Sequence, residues 1–345
     1  MKVVSRDAKV LVWMPVYNEE LYLAEALESV CSQSYQNMDI LVSLNHCTDK
    51  SNEIAREFAG KDSRLSIIQP PDFMTSLDHA QWIRNYIIQN QPTPKYIVHL
   101  GGHDKINEDY VSNLVSFMEN HSDYSLAYAQ DAYAVDKNGS RLFRYDAQPE
   151  TCRKGDFWAA FSVLTGIKFN IPAFGMIKYE IWVSEDLKPH CYALDHFLVA
   201  KYALLGRIGA VSGATLELRH IPPSNETYRF KHFGKSYLTV DNFFDQMAHL
   251  KNLLDESDVE SHHKNILLGA CSSIYYLRYK YQFKSQSEIN DLMASDIGLG
   301  RAMEEMSKFG ARIREYGEKE SSNKNEDLLF RSLANLNSLS KVACN

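Results

Sequence analysis

The segment 101–104 places an imidazole and a carboxylate directly after two glycines, in the order Gly-Gly-His-Asp. It follows the run 95–100, whose apolar pattern predicts a buried strand. Because glycine has no side chain, it lets another molecule approach the backbone closely. His103 and Asp104 would then be placed to hold a divalent cation that bridges the oxygens of a diphosphate. The alternative is a glycine-rich turn in which Asp104 caps a helix beginning near Asn107.

Two earlier apolar runs also end in polar, turn-forming residues. The run Val10–Val16 leads into Tyr17-Asn18-Glu19-Glu20, and the run Ile40–Leu44 leads into Asn45-His46-Cys47-Thr48-Asp49. A helical pattern follows each, so Asn18 and the segment Thr48–Ser51 are also explained as simple helix caps. If the runs are parallel strands, their carboxyl ends meet at one edge of a sheet, where ligands of such sheets bind.

Two further charged side chains suit the same chemistry. Arg84 lies in the predicted helix Asp78–Ile88, from which a guanidinium could bind a diphosphate bidentately; the alternative is a solvated surface charge. Asp195 precedes an apolar helical run and is the expected general base for deprotonating a sugar hydroxyl, unless it only caps that helix. Glu185 and Asp186 are weaker candidates for the base because they lie in a polar loop.

Apolar runs of strand length alternate with stretches of helical period in the first hundred residues. This alternation predicts a parallel sheet covered by helices on both faces. Beyond about residue 124 the pattern is irregular, and beyond about residue 236 it is mostly helical. The predicted strands are Val10–Val16, Ile40–Leu44, Leu65–Ile68, Tyr96–Leu100, Tyr124–Gln130 and Ala173–Lys178, and the predicted helices are Leu21–Val30, Ser51–Phe58, Asp78–Ile88 and Asp195–Leu205.

Composition and charge exclude several classes of protein. The 345 residues include 45% apolar and 12% aromatic residues, as in ordinary globular proteins. A net charge of −7 argues against a nucleic-acid partner. Six scattered cysteines without a CxxC pair indicate free thiols, and neither a signal peptide nor a spanning run is recognisable, so we expect a cytoplasmic protein. The missing GxGxxG and GxxxxGK(S/T) loops argue against dinucleotide-dependent oxidoreductases and P-loop kinases.

In this order, the segments resemble family 2 glycosyltransferases, an inverting group with the GT-A fold, over about residues 8–235. The resemblance continues through Arg84-Asn85, the strand ending at Asp104, and Asp195 in the stretch ALDHFLVAKYALLGRIG. The matching N-terminal positions are Pro15, Tyr17, Asn18, Glu20, Leu27, Ser29, Gln33, Tyr35, Asn45, Thr48 and Asp49.

The chain departs from the family pattern at two places. The family usually has two acids in a DxD-type cluster at the end of the fourth strand, where this chain has Asp104 alone. The family also tends to carry an acid, which commonly contacts the nucleobase, where this chain has Leu44. These departures bear on the need for a metal and on the identity of the nucleotide.

The resemblance implies an α/β, GT-A-like fold with a Rossmann-like, mostly parallel central sheet and a helical C-terminal extension. It implies a glycosyltransferase domain over residues 1–235, with a donor half at about 1–105 and an acceptor half at about 106–235. The extension then covers residues 236–345, with a polar linker at 317–327.

The resemblance also implies roles for individual residues. Asp195 is the implied catalytic base, and Asp104 with His103 are the implied ligands of a divalent cation, Mg²⁺ or Mn²⁺. The residues implied in donor binding are Pro15, Tyr17, Asn18, Glu20, Asn45, Asp49, Arg84, Gly102 and His103.

The implied function is transfer of a sugar from a nucleoside diphosphate sugar to a hydroxyl of a glycan or lipid-linked acceptor, in cell-surface polysaccharide biosynthesis. The single acid at the fourth strand end keeps a second hypothesis open, a catalytically impaired binding or scaffold module. A nucleotidyltransferase is disfavoured because the basic glycine-rich loop that such enzymes use near the N-terminus is missing.

Two C-terminal segments bear on these partners. Either His220 or His232 is expected near the donor phosphates, because both lie in the Arg- and His-rich stretch Arg219–His232; the alternative is ordinary surface histidines. Tyrosines interleave with basic residues in Ile274–Lys284, which either packs on the catalytic domain or lies at the inner face of a membrane that presents lipid-linked acceptors.

Overall fold

The computed structural model describes residues 7–145, 171–184 and 194–220, together with most residues between 248 and 268. Contacts between Cα atoms divide the chain into two compact units. Among the described residues, the first unit holds 7–145, 171–184 and 206–220, and the second holds 194–205 and those between 248 and 268. Residues 194–205 are thus grouped with the C-terminal residues, while the predicted domain boundary near residue 235 stays a prediction.

Among its described residues, the first unit is built on one nine-stranded sheet. Its spatial order is β3-β2-β1-β4-β8-β6-β9-β5, and β7 pairs with β6. In chain order, the strands are β1 Val10–Val16, β2 Met38–Leu44, β3 Leu65–Ile68, β4 Tyr96–His99, β5 Lys105–Ile106, β6 Tyr124–Val135, β7 Arg141–Arg144, β8 Met176–Lys178 and β9 Arg207–Arg219.

Helices connect the strands of this sheet. The helices of the first unit are α1 Leu23–Cys31, α2 Ser51–Lys61, α3 Ser76–Asn90, α4 Tyr110–Asn120 and α5 Tyr179–Val183, with a 3-10 helix at Ile171–Phe174. In the second unit, α6 spans Leu194–Leu205, and the described residues between 248 and 268 are mainly helical. Within the described parts of the chain, no helix is both long and apolar enough to cross a membrane.

Strands β1 to β4 form the parallel half of the sheet. Strand β1 pairs in parallel with β2 and β4, and β2 pairs in parallel with β3. The sequence of β1, VLVWMPV, is buried along nearly its whole length, as expected for a central strand covered on both faces. In helix α1, the buried residues Leu23, Ala26, Leu27 and Val30 recur at helical spacing and form the apolar face of the helix.

The other half of the sheet mixes directions. Strand β8 is antiparallel to both β4 and β6, so β6 runs in the same direction as β4. Strand β9 is parallel to β6 from the pair Tyr124 and Arg207 to the pair Val135 and Arg219. The carboxyl ends of β4, β6 and β9 therefore lie at the same edge as those of β1 and β2.

The connection between β4 and β5 requires the sheet to curl. In a flat sheet, four strand spacings of about 4.8 Å would separate β4 from β5. The connecting residues 100–104 would span this only if nearly extended, at about 3.4 Å per residue. Instead, the chain turns at Gly101, whose carbonyl accepts a hydrogen bond from the N–H of Asp104 at 3.2 Å. Curling of the sheet brings Asp104 to the end of β9.

The predicted α/β fold is confirmed, and the predicted bounds of β1 and β3 are those observed. Strand β6 continues beyond its predicted end at Gln130, and β9 was not predicted at all. The sheet is therefore more mixed than the N-terminal pattern alone indicates.

Candidate functional site

The candidate site is the edge of the sheet at which β1, β2, β4, β6 and β9 end. Because these strands run in the same direction, the loops that follow them converge there. The predicted site residues of the first unit lie in or beside these loops, with the exception of Arg84 in helix α3.

The loops after β1 and β2 bind each other through side-chain hydrogen bonds. Oδ1 of Asn18 accepts from the N–H of Thr48 at 2.8 Å, and Oδ2 of Asp49 accepts from the N–H of Glu20 at 2.9 Å. In return, Oε2 of Glu20 accepts from the N–H of Lys50 at 3.1 Å. Asn18, Glu20 and Asp49 thus fix the geometry of the two loops. The alternative that Asn18 caps α1 is wrong.

Two non-glycine residues of these loops have a left-handed backbone. The φ angle is 54° at both Asn18 and His46. Such conformations cost about 1–3 kcal/mol each, and they persist only where contacts with the surrounding structure offset this cost. Here Asn18 is held by Thr48, and Nε2 of His46 contacts the carbonyl oxygen of Pro70 at 2.9 Å. Asp49 also accepts from the N–H of Ser51 at 2.9 Å, which satisfies a free donor at the start of α2.

A cleft of about 490 Å³ opens beside these loops. The Tyr17 ring lies 5.0 Å from the Phe73 ring, and the side chain of Asn45 bonds both the carbonyl (2.8 Å) and the N–H (3.0 Å) of Met74. Tyr17 and Asn45 therefore connect the strand ends to the cleft. Oε1 of Gln81 is buried there and has no hydrogen-bond partner among the described residues. The cleft is lined by Phe73, Met74, Thr75, Asp78, Gln81, Trp82 and Asn85.

The two glycines after β4 make room for the protein's own side chains. A Cβ atom at Gly101 would lie 2.5 Å from Oδ2 of Asp104, which is closer than real contacts allow. A Cβ atom at Gly102 would lie 3.2 Å from Val16 and 3.3 Å from the side chain of Glu19. Gly101 thus permits the position of Asp104, and Gly102 permits close packing against the end of β1.

His103 is oriented by a carboxylate that the sequence analysis did not single out. Its Nδ1 lies 2.8 Å from Oε1 of Glu19, and its Nε2 lies 3.9 Å from Oδ1 of Asp104. Burial disfavours the charged imidazole, but the hydrogen bond with Glu19 and the charge of Asp104 outweigh burial and raise the pKa of His103 to about 9. His103 is therefore positively charged at neutral pH.

Asp104 is almost fully buried, and its carboxylate faces the end of β9. Oδ1 accepts a hydrogen bond from the N–H of Arg219 at 2.9 Å. Burial raises the pKa of Asp104, whereas the charge of His103 and the bond from Arg219 oppose this rise. The next helix, α4, has Asp109 at its N-cap position, so the alternative that Asp104 caps it is wrong.

The guanidinium of Arg219 ties the neighbouring loops together. Nε donates to the carbonyl of His103 at 3.2 Å, and Nη1 donates to the carbonyls of Asp136 and Lys137, both at 3.0 Å. Nη2 donates to Oε2 of Glu25 at 2.9 Å. Since this side chain is only 1% exposed, Arg219 is a structural anchor of the site.

The residues at this edge suit a divalent cation poorly. No cluster of three His, Cys, Asp or Glu side chains able to hold a metal ion occurs in the parts of the chain that the structure describes. Asp104 is the only acid of segment 101–104, and its side chain is 5% exposed. Mg²⁺ and Mn²⁺ prefer several oxygen ligands and usually keep bound water. The donors present at the end of β4 do not match this requirement.

The remaining predicted site residues lie elsewhere or outside the described residues. Arg84 is 7% exposed, donates to the carbonyl of Val183 at 2.6 Å, and lies over the ring of Trp182. For Asp195, only the backbone is described, in the first turn of α6. His220 is exposed, and its N–H donates to the carbonyl of Val135 at 2.8 Å. His232, the weaker base candidates at 185 and 186, and the segments 274–284 and 317–327 lie outside the described residues.

Sequence reasoning missed Glu19 and Arg219. Glu19 stands beside three residues that were singled out, and only its contact with His103, 84 positions away, distinguishes it. Arg219 ends a strand that was not predicted. A charged residue at the end of a largely apolar run was the available signal for Arg219.

Comparison with known sequences gives a consistent result. The family described as Glycosyl transferase family 2 matches residues 11–182. The uncharacterized glycosyltransferase MJ1057 of Methanocaldococcus jannaschii is 30% identical over 215 residues, which cover 57% of this chain and 71% of that protein. The minor teichoic acid biosynthesis protein GgaB of Bacillus subtilis is 31% identical over 112 residues, which cover 32% of this chain and 12% of GgaB. The chain spans 15 to 52% of the length of three other curated relatives that it matches.

Solved structures share the fold. The crystal structure of S. aureus TarS 1–349 in complex with UDP-GlcNAc matches with a TM-score of 0.59 at 15% sequence identity. The match covers 88% of this chain and 80% of that chain. This likeness supports the predicted GT-A-like α/β fold.

Proposed function

Because the chain belongs to glycosyl transferase family 2, we propose that it is an inverting glycosyltransferase that uses a nucleoside diphosphate sugar. The sugar goes to a hydroxyl of a glycan or of a lipid-linked acceptor. One observation carries the proposal: the loops 17–20, 45–51 and 101–104, all within the matched residues, converge at one sheet edge beside a cleft.

The cleft supports binding of the nucleoside part of the donor. It combines aromatic surface from Phe73 and Trp82 with polar side chains such as those of Asp78, Gln81 and Asn85. Small-molecule sites commonly have this mixture of apolar lining and a few fixed polar groups. In the proposal, Tyr17 and Asn45 position this cleft relative to the strand ends, through Phe73 and Met74. That TarS binds UDP-GlcNAc supports a nucleotide-sugar donor here.

The other predicted donor residues support this site mainly by shaping it. Asn18, Glu20 and Asp49 hold the loops after β1 and β2 together. The lack of a side chain at Gly102 lets the loop after β4 pack against the end of β1, where the carbonyl of Pro15 lies 3.5 Å from the position that a Cβ at Gly102 would take. Arg84, bonded to the carbonyl of Val183, fixes helix α3, which forms one wall of the cleft.

Asp195 is the proposed general base. Its carboxylate removes the proton from the acceptor hydroxyl as the oxygen attacks the anomeric carbon. The bond from that carbon to the diphosphate breaks, and the nucleoside diphosphate leaves from the opposite face, which inverts the configuration. The sequence stretch around Asp195 resembles the part of the family that carries its base.

The proposed setting is cell-surface polysaccharide biosynthesis on the cytoplasmic side of the membrane. The relative GgaB is named as a protein of teichoic acid biosynthesis, which supports a cell-surface glycan as acceptor. The basic and aromatic segment 274–284 would bring the protein to lipid-linked acceptors at the membrane.

The proposal is tested by nucleotide release from a panel of UDP- and GDP-sugars, comparing the wild-type protein with Asp195→Asn. Turnover by Asp195→Asn should fall by about 10²-fold or more, while donor affinity barely changes, because Asn keeps the shape but cannot accept the proton. The matched control is Asp123→Asn. Asp123 precedes β6 and pairs with Arg207, so it lies at the opposite edge of the sheet.

Each outcome separates the hypotheses. Equal turnover by wild type and Asp195→Asn contradicts the base assignment. Loss of donor binding together with turnover would place Asp195 in the fold or the donor site. A wild-type protein that binds nucleotide sugars without turnover in the presence of glycan acceptors would be the binding or scaffold module.

A further inference from the structure

We propose that the imidazole of His103, oriented by Glu19, contacts the donor diphosphate directly and takes the place that a divalent cation holds in metal-dependent sites. The inference rests on the proposed function, since it concerns the same donor at the same sheet edge. It makes His103 a catalytic residue and Glu19 a positioning residue.

The carboxylates at this edge already have cationic or N–H partners. Glu19 accepts from the imidazole of His103 at 2.8 Å, and Asp104 accepts from the N–H of Arg219 at 2.9 Å. Glu25 is bound to the guanidinium of Arg219 at 2.9 Å. A divalent cation bound there would stand beside the positive charge of Arg219. Each of the three carboxylates thus has a hydrogen-bonded or charged protein partner without a metal ion.

The space around Asp104 also argues against a hydrated cation. Its side chain is 5% exposed, and Oδ2 fills the position beside Gly101 that any larger residue would need. Mg²⁺ usually keeps several of its waters when it binds to proteins. Such an ion and its waters would require the carboxylate of Asp104 to leave its buried position.

The side chain of His103, by contrast, is partly exposed. Its side chain keeps 27% of its surface exposed, whereas the side chains of Glu19 and Asp104 keep 12% and 5%. Nδ1 is bound to Glu19, and among the described residues none accepts a hydrogen bond from Nε2, so we assign this second nitrogen to the donor. The 3.9 Å from Nε2 to Asp104 is too long for a hydrogen bond.

The chemistry of this N–H fits a diphosphate oxygen. A hydrogen bond from the Nε2–H to a phosphate oxygen is charge-assisted, because the phosphate is ionised. Negative charge builds up on the departing diphosphate during transfer, and a fixed donor at that position stabilises it.

The first test needs only the wild-type full-length chain. Binding of UDP and of GDP is measured by isothermal titration calorimetry, once in EDTA and once with Mn²⁺. We expect the dissociation constant of the nucleotide that binds to agree within about threefold between the two conditions. Electron paramagnetic resonance of free Mn²⁺ should show no uptake by the protein with UDP or GDP.

The second test uses variants, measured in EDTA. His103→Asn should weaken nucleotide binding by about tenfold or more, the loss expected for one charge-assisted hydrogen bond. Glu19→Gln should weaken it less, because the ring stays but loses its orienting carboxylate. The control is Glu57→Gln, an exposed glutamate paired with Lys61 on α2, which should bind as the wild type does.

Four outcomes decide the matter. Equal binding with and without Mn²⁺, together with loss in His103→Asn, supports the inference. Binding that requires Mn²⁺ overturns it and leaves the proposed function standing. Metal-free binding that His103→Asn does not weaken overturns the role of His103. If neither nucleotide binds in either condition, both the inference and the proposed function fail. The Mn²⁺ comparison stands even if His103→Asn does not fold.

Discussion

Replacing Arg219 with methionine should cost the first unit about 4 kcal/mol of unfolding free energy. Methionine replaces the aliphatic part of the arginine side chain but has no donor, so the carbonyls of His103, Asp136 and Lys137 each lose a hydrogen bond. Lys137 is exposed, and water can replace the donor at its carbonyl. The carbonyls of His103 and Asp136 each lose a donor, which costs about 1–3 kcal/mol per carbonyl. Two losses near the middle of this range give the expected total of about 4 kcal/mol.

Urea unfolding followed by circular dichroism measures this loss, and Arg207→Met is the matched control. Arg207 and Arg219 begin and end the same strand, and each guanidinium lies 4.3 Å from a tyrosine ring. The side chain of Arg207, however, is 29% exposed and contacts Asp123 at 3.3 Å, so its replacement should cost about 1 kcal/mol or less. The free energy of unfolding lost in Arg219→Lys should lie between the losses in Arg219→Met and Arg207→Met, because one ammonium group cannot donate to all four acceptors.

The nucleotide-binding assay shows whether this anchor matters to the site. The bond from Arg219 to the carbonyl of His103 fixes the backbone that presents the imidazole. Arg219→Lys should therefore weaken UDP or GDP binding in EDTA at temperatures where the protein is fully folded. If Arg219→Met unfolds within about 1 kcal/mol of the wild type, the network does not hold these loops and the reasoning fails.

Two further predictions concern burial and space. Burial lowers the pKa of His79 from 6.5 to about 4, so stability is complete above pH 6.5 and falls by about 3 kcal/mol as the pH drops towards 4. In His79→Gln, urea unfolding at pH 7 and pH 4.5 should show a smaller difference than in the wild type; an unchanged difference would assign the pH dependence to other groups. Gly101→Ala should destabilise the protein and weaken nucleotide binding, because its Cβ displaces the Asp104 carboxylate. A Cβ added at Gly60, in helix α2, would meet no atom within 4 Å, so Gly60→Ala should instead stabilise the protein by about 0.5–1 kcal/mol. Equal thermal unfolding temperatures of Gly101→Ala and Gly60→Ala would contradict this argument.

The N-terminal half of the fold was predictable because its signals are local. The parallel strands β1 and β2 are buried along nearly their whole length, so they read as short apolar runs bounded by turns. Strand β3 lies at the edge of the sheet and is less buried, but its sequence LSII is also a short, mainly apolar run. Helix α1 repeats its apolar residues at helical spacing. Each element can therefore be recognised without knowing its partner.

The second half was not predictable in the same way. Strand β9 contains Gly209 and Gly213, and its buried and exposed residues do not alternate regularly. The φ of Gly213 is +83°, which interrupts the strand pattern. Its pairing with β6 joins residues that lie more than 80 positions apart, and no local pattern specifies such a partner.

The same distinction between local signals and distant contacts applies to the site residues. Sequence spacing located the polar strand ends, but it did not show that Asn18, Glu20 and Asp49 bond one another. Two adjacent polar loops satisfy their own donors and acceptors before any ligand is present. From the sequence, the glycines at 101 and 102 indicate space for a ligand, whereas the space nearest to them is filled by side chains that include Asp104 and Glu19. Contacts between distant segments decide such roles.

The register of β9 decides which charge meets Asp104. In the first part of the pairing between β6 and β9, Ala129 lies opposite Val211. If this register continued without interruption, Glu217 would lie opposite Val135. The irregularity around Gly213 inserts two extra residues, so Arg219 stands there instead. An acid at that place would repel Asp104 and could not donate to the surrounding carbonyls. The positive charge behind the site thus depends on a glycine six positions away, whose φ of +83° other residues rarely adopt.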